Sequence, residues 1–382
     1  MKTEDQEMRP DQITIKNLMK VPYYVARGVR YHAAGRLYTP KPLYAALHIT
    51  RRCNSRCVMC SEWESPGDRR ELTPTEIGEI FNNPLFGSVE KFVFSGGEPA
   101  LREDLVQIAE TVLVSCPRIK EMVLLTNGLE PSLVVERAKE LLSLADRRRL
   151  DKFAVSVSLD GHGETHEKIR RVPRAFERVS ETIERLKALQ CEKPFYLGSV
   201  CVVQPLNVSN LVHVSDYCQE LGLPITFVPV WGGDLFVKDA ASQRALRLTE
   251  EHLRELKSVF DHQIQERLMP ANLPFWREYF SIVSGEKRRL PCFLLHHYVR
   301  LDSDGMLCSC YADSSLVYGS LVDTPPDELW YSDKARELRR RVEKYLCPSC
   351  TIYCDLAFCF SQEFFYYAKF LIKEKSRRLL GK

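Results

Sequence analysis

The sequence predicts an α/β fold: a partial barrel of the (β/α)6 TIM type, followed by a smaller cysteine-rich domain. Residues 45–230 alternate short β-rich runs with longer helical patterns, which is typical of parallel strands joined by crossover helices. Polar or glycine-containing motifs follow four of these strands, at the edge where parallel α/β folds bind ligands. A dense group of cysteines after residue 290 marks the second unit.

The strand candidates are two short of a complete (β/α)8 barrel. They are Ala45–Thr50, Lys91–Ser95, Met122–Thr126, Phe153–Leu159, Tyr196–Val203 and Ile225–Val230. The helices between them carry local start signals. Thr73 can cap a helix with Pro74 in its first turn and Glu76 completing a capping box, and Pro173 opens a helical stretch that ends near Leu189.

Composition limits the classes of function. With 45% hydrophobic and 27% charged residues, the 382-residue chain is ordinary for a globular protein, and its net charge of +3 is too small to indicate a nucleic-acid partner. The polar first residues contain no signal peptide, and no apolar run approaches the roughly 20 residues of a membrane-spanning helix. We therefore expect a cytoplasmic protein whose 14 cysteines bind metal or perform chemistry.

Three cysteines form a loop directly after the first predicted strand. Cys53, Cys57 and Cys60 lie within eight residues, a spacing that can wrap one small metal cluster. A structural zinc site or a closed 4Fe-4S cluster requires four protein ligands, and this loop has three. A cluster in which one iron has no protein ligand can bind a cofactor or substrate at that iron. Binding of zinc by the loop is the alternative.

The motif Cys53-x3-Cys57-x2-Cys60, with Gly96-Gly97-Glu98-Pro99 after the next strand, resembles the radical S-adenosylmethionine (SAM) superfamily. The similarity covers about residues 44–230. One departure is Met59, at a position where an aromatic residue is common. The resemblance implies a 4Fe-4S cluster on the three cysteines, with SAM bound to it. It also implies that residues 96–99 meet the methionine amino group, for which the Glu98 carboxylate is a suitable acceptor.

The resemblance also implies cofactor contacts after the third and fourth strands, near the cofactor's carboxylate and ribose. Strand alternation puts Ser156, Ser158 and Asp160 on one face. Arg170 matches an arginine near the cofactor carboxylate, and the neighbouring Arg171 is the alternative. The cofactor-binding residues implied are Gly96, Gly97, Glu98, Pro99, Thr126, Asn127, Ser156, Ser158, Asp160 and Arg170.

A second group of cysteines follows residue 290. Its members are Cys292, Cys308, Cys310, Cys347, Cys350, Cys354 and Cys359, and Asp302–Gly305 is predicted to form a hairpin turn. The layout resembles the SPASM/twitch extension of radical SAM enzymes, which implies an auxiliary 4Fe-4S cluster on Cys292, Cys310, Cys347 and Cys350. The roles of Cys308, Cys354 and Cys359 stay open, and four cysteines would also suit zinc.

Other candidate residues have simpler interpretations. The scattered cysteines are expected in the core, namely Cys116, Cys191, Cys201 and Cys218. An alternative for Cys201 is that it faces the barrel interior and donates a hydrogen atom. His162 and His166 lie in a charged segment and are expected to be solvated rather than catalytic.

The predicted organisation has five parts: an N-terminal amphipathic extension (1–43), the barrel (44–235), a helical bridge (236–290), the SPASM/twitch domain (291–360) and a basic C-terminal helix (361–382). The two terminal segments mix aromatic and basic residues. Such helices either contact an anionic membrane peripherally or pack an apolar face on the barrel.

The resemblance implies reductive cleavage of SAM to a 5′-deoxyadenosyl radical, which abstracts hydrogen from an unidentified substrate. Flavodoxin or ferredoxin would supply the electron, and the auxiliary cluster would assist oxidation. A small molecule, sugar or lipid-linked precursor is favoured, because only about 43 residues precede the first strand, too few for a leader-peptide-binding domain. The alternatives are a peptide-modifying maturase and, from another class, a non-catalytic zinc-binding interaction protein.

Overall fold

A computed structural model describes residues 21–35, 37–64, 70–190, 194–231, 237, 239–262, 272–308, 310 and 316–352. Its strands are β1 (Tyr44–Thr50), β2 (Lys91–Gly96), β3 (Glu121–Thr126), β4 (Lys152–Ser158), β5 (Phe195–Val203), β6 (Ile225–Pro229), β7 (Tyr298–Leu301), β8 (Met306–Cys308) and β9 (Val317–Ser320).

The helices alternate with the first six strands and then cluster in the second half of the chain. They are α1 (Val21–Ala33), α2 (Pro74–Phe81), α3 (Leu105–Ser115), α4 (Pro131–Arg147), α5 (Glu164–Arg170), α6 (Ala175–Lys187), α7 (Leu211–Glu220), α8 (Ala240–Ala245), α9 (Glu250–His262), α10 (Asn272–Val283), α11 (Leu294–His297), α12 (Pro326–Tyr331) and α13 (Asp333–Tyr345).

The strands form one sheet in the order β6-β5-β4-β3-β2-β1-β7-β8-β9. Neighbours from β6 to β7 are all parallel, so the crossover helices place the carboxyl ends of these strands at one edge. The α/β partial barrel that the sequence predicts is confirmed, and each of the six predicted strands agrees with the structure to within one residue at either end. The capping box at Thr73 and Glu76 is also present.

The two faces of the sheet differ in burial. Along β5, alternate residues from Phe195 to Val203 are buried, and those between them are half-exposed. The buried face packs against the helices, as Ser199 shows by lying 3.6 Å from the sulfur of Cys218 on α7. The half-exposed face is therefore the concave interior of the barrel, where a ligand has room to bind.

The cysteine-rich unit continues the barrel sheet rather than forming a sheet of its own. Strand β7 pairs in parallel with β1, with Tyr298 opposite Tyr44, and β8 and β9 extend the sheet in antiparallel order. The predicted turn at Asp302–Gly305 joins β7 to β8, and Gly305 has a φ of +90° there. The hairpin that carries Cys308 is thus joined by backbone hydrogen bonds to β1, the strand that leads into the first group of cysteines.

The N-terminal helix packs on this junction. Tyr31 of α1 is 3% exposed, its hydroxyl donates to the backbone oxygen of Pro291, and its ring lies against Phe293. None of the helices in the described ranges is long and apolar enough to cross a membrane. The predicted basic C-terminal helix, residues 1–20, and Cys191, Cys354 and Cys359 lie outside the described residues.

Candidate metal centre and cofactor site

The cysteine loop follows β1 and runs beside the end of α5. The backbone N–H of Arg56 donates to the carbonyl of Arg170 at 3.2 Å, and that of Val58 donates to Ile169 at 2.9 Å. These bonds hold the loop on the fold without help from a metal. The loop therefore presents its three thiols at the edge where the parallel strands end.

Each sulfur of the loop lies within hydrogen-bond distance of a donor. These donors include the side-chain amide of Asn127 for Cys53 at 3.8 Å, the guanidinium of Arg170 for Cys57 at 3.5 Å, and the backbone N–H of Glu62 for Cys60 at 3.4 Å. The Ser55 hydroxyl also lies 3.0 Å from the Cys57 sulfur. Such bonds stabilise thiolates and the sulfur ligands of iron-sulfur clusters. The surroundings of the three sulfurs therefore fit a cluster.

Two of the three thiols, those of Cys53 and Cys60, need a metal partner to ionise at neutral pH. Burial raises the pKa of Cys53 to about 11 and that of Cys60 to about 12. In the described parts of the chain, no three His, Cys, Asp or Glu side chains converge as ligands of a single metal ion would. A four-iron cluster does not require such convergence, because each cysteine binds a different iron.

The two glycines of the Gly96–Pro99 motif lie against the backbone that leads into the cysteine loop. Gly97 donates its N–H to the carbonyl of Thr50 at 2.8 Å, and Glu98 donates to Arg52 at 2.9 Å. A Cβ on Gly97 would overlap the Arg52 carbonyl oxygen, and Gly96 has a φ of +126°. The glycines are thus required for packing the motif on the loop, in addition to any approach by a cofactor.

The Glu98 carboxylate organises the neighbouring turn. It is 1% exposed and accepts hydrogen bonds from the backbone N–H of Ala100 at 3.1 Å, the Thr126 hydroxyl at 3.0 Å and the backbone N–H of Asn127 at 2.6 Å. Burial raises the pKa of Glu98 to about 7, against the opposing effect of these donors. The side-chain amide of Asn127 also donates to Asn54 at 2.7 Å, which connects the turn to the cysteine loop.

Ser156 and Ser158 point into the barrel. Both are half-exposed residues of β4, between neighbours that are buried against the helices. Neither hydroxyl has a hydrogen-bond partner among the described residues. Both are available to a ligand.

Asp160 and Arg170 form a buried ion pair beside the loop. The Arg170 guanidinium lies 2.6 Å from the Asp160 carboxylate, which also accepts the backbone N–H of Val202 at 2.7 Å. Burial lowers the pKa of Arg170, but the charges of Asp160 and Cys57 and the hydrogen bonds to them together outweigh that effect and raise the pKa on balance. Arg171, the alternative candidate, is exposed and forms no ion pair within the described residues.

One expectation and one alternative about side chains are wrong. Cys201 is a core residue, as expected: it is fully buried on the helix-facing side of β5, where its sulfur accepts from Asn207 at 3.6 Å. The alternative, that Cys201 faces the barrel interior, is therefore wrong. His166 is not solvated: it is fully buried, and its Nδ1 accepts the backbone N–H of Asp160 at 3.1 Å. His162 is exposed, as expected. Cys116 and Cys218 are core residues, also as expected.

The predicted auxiliary-cluster ligands all lie within the described residues. Cys292, Cys310 and Cys350 are buried and Cys347 is half-buried. The pair Cys347 and Cys350 brackets a single turn of 3-10 helix, closed by a 3.1 Å backbone hydrogen bond. Cys308 differs from these four in lying within a strand of the sheet. It is paired with Arg300 in the β7–β8 ladder, so the two side chains lie on the same face of the sheet.

A chain of charges that the sequence did not predict connects the two cysteine groups. Arg51, beside the loop, lies 3.1 Å from Glu62 and 3.5 Å from Asp302, and Asp302 lies 3.1 Å from Arg300. His48 on β1 approaches the same carboxylate at 3.7 Å. The only sequence signal was the position of Asp302 in the predicted hairpin turn.

Fold and site together define an α/β-barrel protein with a loop of three thiols at the carboxyl edge of its parallel strands. Comparison with known families identifies the two domains. Residues 47–218 match the model of the Radical SAM superfamily, and residues 292–355 match that of an iron-sulfur cluster-binding domain, SPASM. The chain thus carries a radical SAM domain followed by a SPASM domain. These domains imply SAM and a 4Fe-4S cluster as cofactors, with auxiliary iron-sulfur binding in the SPASM domain.

The chain is similar to individual proteins in sequence or in fold. The "Probable GTP 3',8-cyclase" of Methanocaldococcus jannaschii is 31% identical over 189 residues, which are 48% of this chain and 58% of that protein. Among solved structures, "Native anSMEcpe with bound AdoMet" has a TM-score of 0.59 at 19% identity, covering 88% of this chain and 100% of that one. Streptococcus suis SuiB bound to precursor peptide SuiA has a TM-score of 0.54 at 16% identity, covering 84% and 71%. These two structural similarities establish a shared fold.

Proposed function

We propose that this protein is a radical SAM enzyme that cleaves SAM reductively at a 4Fe-4S cluster held by Cys53, Cys57 and Cys60. The observation that carries the proposal is the loop of three thiols, each beside a hydrogen-bond donor, next to the buried Glu98 carboxylate. When bound and reduced, the cluster and SAM together supply an electron transfer that releases methionine and a 5′-deoxyadenosyl radical, which abstracts hydrogen from the substrate.

The chain's own residues bind and orient the cofactor. Glu98 accepts three hydrogen bonds and keeps acceptor capacity for the methionine amino group. Thr126 and Asn127 fix this carboxylate, and Asn127 also fixes the loop through Asn54. Arg170 has a buried Nε with no hydrogen-bond partner among the described residues, which suits it to the cofactor carboxylate.

The substrate would occupy the concave face of the barrel. Ser156 and Ser158 offer free hydroxyls there to the ribose or to the substrate. The sheet continues through β7 into the hairpin that carries Cys308, so this interior extends toward the SPASM cysteines. Cys292, Cys310, Cys347 and Cys350 would hold the auxiliary 4Fe-4S cluster, which would supply an electron acceptor for oxidation of the substrate radical.

We favour a small molecule, sugar or lipid-linked precursor as substrate. Support comes from the M. jannaschii relative, whose name refers to GTP, although the chain covers 58% of that protein's length. A peptide substrate is the alternative, because SuiB has the same fold and was solved with a precursor peptide. Flavodoxin or ferredoxin is the electron donor we propose. Packing of Tyr31 against Phe293 favours a helix docked on the protein over peripheral membrane contact.

The test is formation of 5′-deoxyadenosine from SAM by the anaerobically reconstituted protein with dithionite as reductant. We expect cleavage by the natural protein and none by Cys53→Ala, Cys57→Ala or Cys60→Ala. The matched control is Cys116→Ala, which removes a buried thiol from the core outside the proposed ligand sets. Cleavage at the natural rate by the three loop variants would refute the proposal. Tetrahedral zinc in place of iron would support the non-catalytic alternative.

A further inference from the structure

The three sulfurs of the cysteine loop have unequal hydrogen-bond donors. Cys53 faces a neutral side-chain amide and Cys60 faces a neutral backbone N–H. Cys57 lies 3.0 Å from the neutral Ser55 hydroxyl and, alone of the three, also faces a charged donor, the guanidinium of Arg170 at 3.5 Å. A charged donor stabilises negative charge on sulfur more strongly than a neutral one, especially where water is excluded. Arg170 is 6% exposed, so its effect on Cys57 is weakly screened.

Arg170 is fixed at both ends. Its guanidinium is held by Asp160, whose carboxylate accepts from Val202 and whose backbone oxygen accepts from the side chain of Asn207 at 2.7 Å. Its own carbonyl accepts the N–H of Arg56 at 3.2 Å, from the cysteine loop itself. A guanidinium held in this way cannot relax away from Cys57 when the charge on the sulfur changes.

We propose that Arg170 sets the reduction potential of the cluster through its charged hydrogen bond to Cys57, and that Asp160 is the positioning residue that holds it there. The inference rests on the proposed function, because it requires a cluster on Cys57. Reduction brings one electron from a low-potential donor to the cluster, with no bond formed and no proton moved. The added negative charge spreads onto the cysteine sulfurs, so the nearby cation favours the reduced form.

This role is separate from any contact between Arg170 and the cofactor. The bond to Cys57 exists in the protein alone, and the Nε of Arg170 has no partner among the described residues. One guanidinium can therefore serve the sulfur through one nitrogen and the cofactor carboxylate through another. Measuring the potential without SAM isolates the first role from the second.

The experiment is an EPR-monitored redox titration of the full, reconstituted protein without SAM. The titration monitors the EPR signal of the cluster on the cysteine loop. That signal is identified by its absence from the Cys53→Ala variant and by its change when SAM is added after the titration. We expect Arg170→Met to lower the reduction equilibrium constant at least tenfold, about 59 mV for one electron. Asp160→Asn should shift the potential upward, because it removes a negative charge while the arginine still faces Cys57. Iron and sulfide content report assembly.

The matched control is Arg174→Met, which removes an arginine from the exposed pair with Glu177 and should leave the potential unchanged. If the two substitutions acted only by loosening the site, the reduction potentials of Arg170→Met and Asp160→Asn would shift in the same direction, and that result would overturn the inference. An unchanged potential in Arg170→Met with full iron would also overturn it. If the methionine variant assembles no cluster, Asp160→Asn decides alone: an upward shift supports the inference, and no shift or a downward one refutes it.

Failure of the proposed function gives a different result. A natural protein without any SAM-responsive cluster signal would overturn the function and this inference together. A natural protein with that signal, but with the same potential in all the variants, would overturn the inference and leave the function intact.

Discussion

Gly97 is the position where a single methyl group should do most damage to the cluster site. Its N–H donates to Thr50, the next residue donates to Arg52, and an added Cβ would overlap the Arg52 carbonyl oxygen and lie 2.8 Å from that of Arg51. Ordinary contact is about 3.5 Å or more, so the loop would have to retreat by about 1 Å. That retreat displaces the backbone directly before Cys53.

The cost of Gly97→Ala has two parts. Overpacking against a fixed backbone costs about 1–3 kcal/mol, and two lost hydrogen bonds cost about 1 kcal/mol each, which gives roughly 3–5 kcal/mol. In a chain of 382 residues, that corresponds to a melting temperature lower by about 4–6 °C. We also expect less iron per chain after reconstitution, because the first cysteine moves relative to the other two.

The assay compares thermal melting of the metal-free protein and iron content after anaerobic reconstitution. Gly87→Ala is the matched control, because a Cβ at that position meets nothing within 4 Å. The control should keep the natural melting temperature and iron content. If Gly97→Ala also kept both, the glycines would not be required for packing, and our interpretation of the Gly96–Pro99 motif would be wrong.

Three further predictions concern binding, iron content and stability. Burial raises the pKa of Glu98 to about 7, and the ionised carboxylate is the form that accepts a hydrogen bond from the methionine amino group. The affinity for SAM should therefore weaken roughly tenfold from pH 8 to pH 6. Calorimetry should show a larger change of affinity with pH in the natural protein than in Glu98→Gln, and equal changes in the two proteins would contradict the prediction. Arg102 is 4% exposed and donates to the carbonyls of Ile49 and Leu72, so Arg102→Met should destabilise the metal-free protein by about 3 kcal/mol, measured by urea unfolding; an unchanged midpoint would contradict this. The third prediction concerns the four SPASM cysteines proposed as ligands, which are Cys292, Cys310, Cys347 and Cys350. Replacing all four with alanine should remove about four irons per chain and leave SAM cleavage intact. Full iron retention would contradict the assigned ligands.

Local patterns were sufficient to predict the barrel strands. The run from Tyr196 to Val203 alternates as a half-buried strand does, and β5 spans Phe195–Val203. The capping residues at Thr73 and Glu76 likewise act within one helical turn. Such features are encoded by residues close together in the chain, so they can be predicted without knowing the fold.

Features that depend on distant pairing were not predicted. Nothing in the run Tyr298–Leu301 indicates that it pairs with β1, some 250 residues earlier, and joins the two cysteine groups in one sheet. The face of Cys201 depends on which side of β5 the helices cover, and the sequence alternation alone leaves both sides open. The resemblance singled out Arg170, but its contact with Cys57 depends on how α5 packs against the cysteine loop.

The central claim is that Cys53, Cys57 and Cys60 hold a cluster with one iron open to SAM. The most direct measurement is the EPR spectrum of the dithionite-reduced protein, recorded with and without SAM, in the variant that lacks the four SPASM cysteines. We predict a single 4Fe-4S signal that changes when SAM is added. A spectrum without such a signal, or one that SAM leaves unchanged, would contradict the claim.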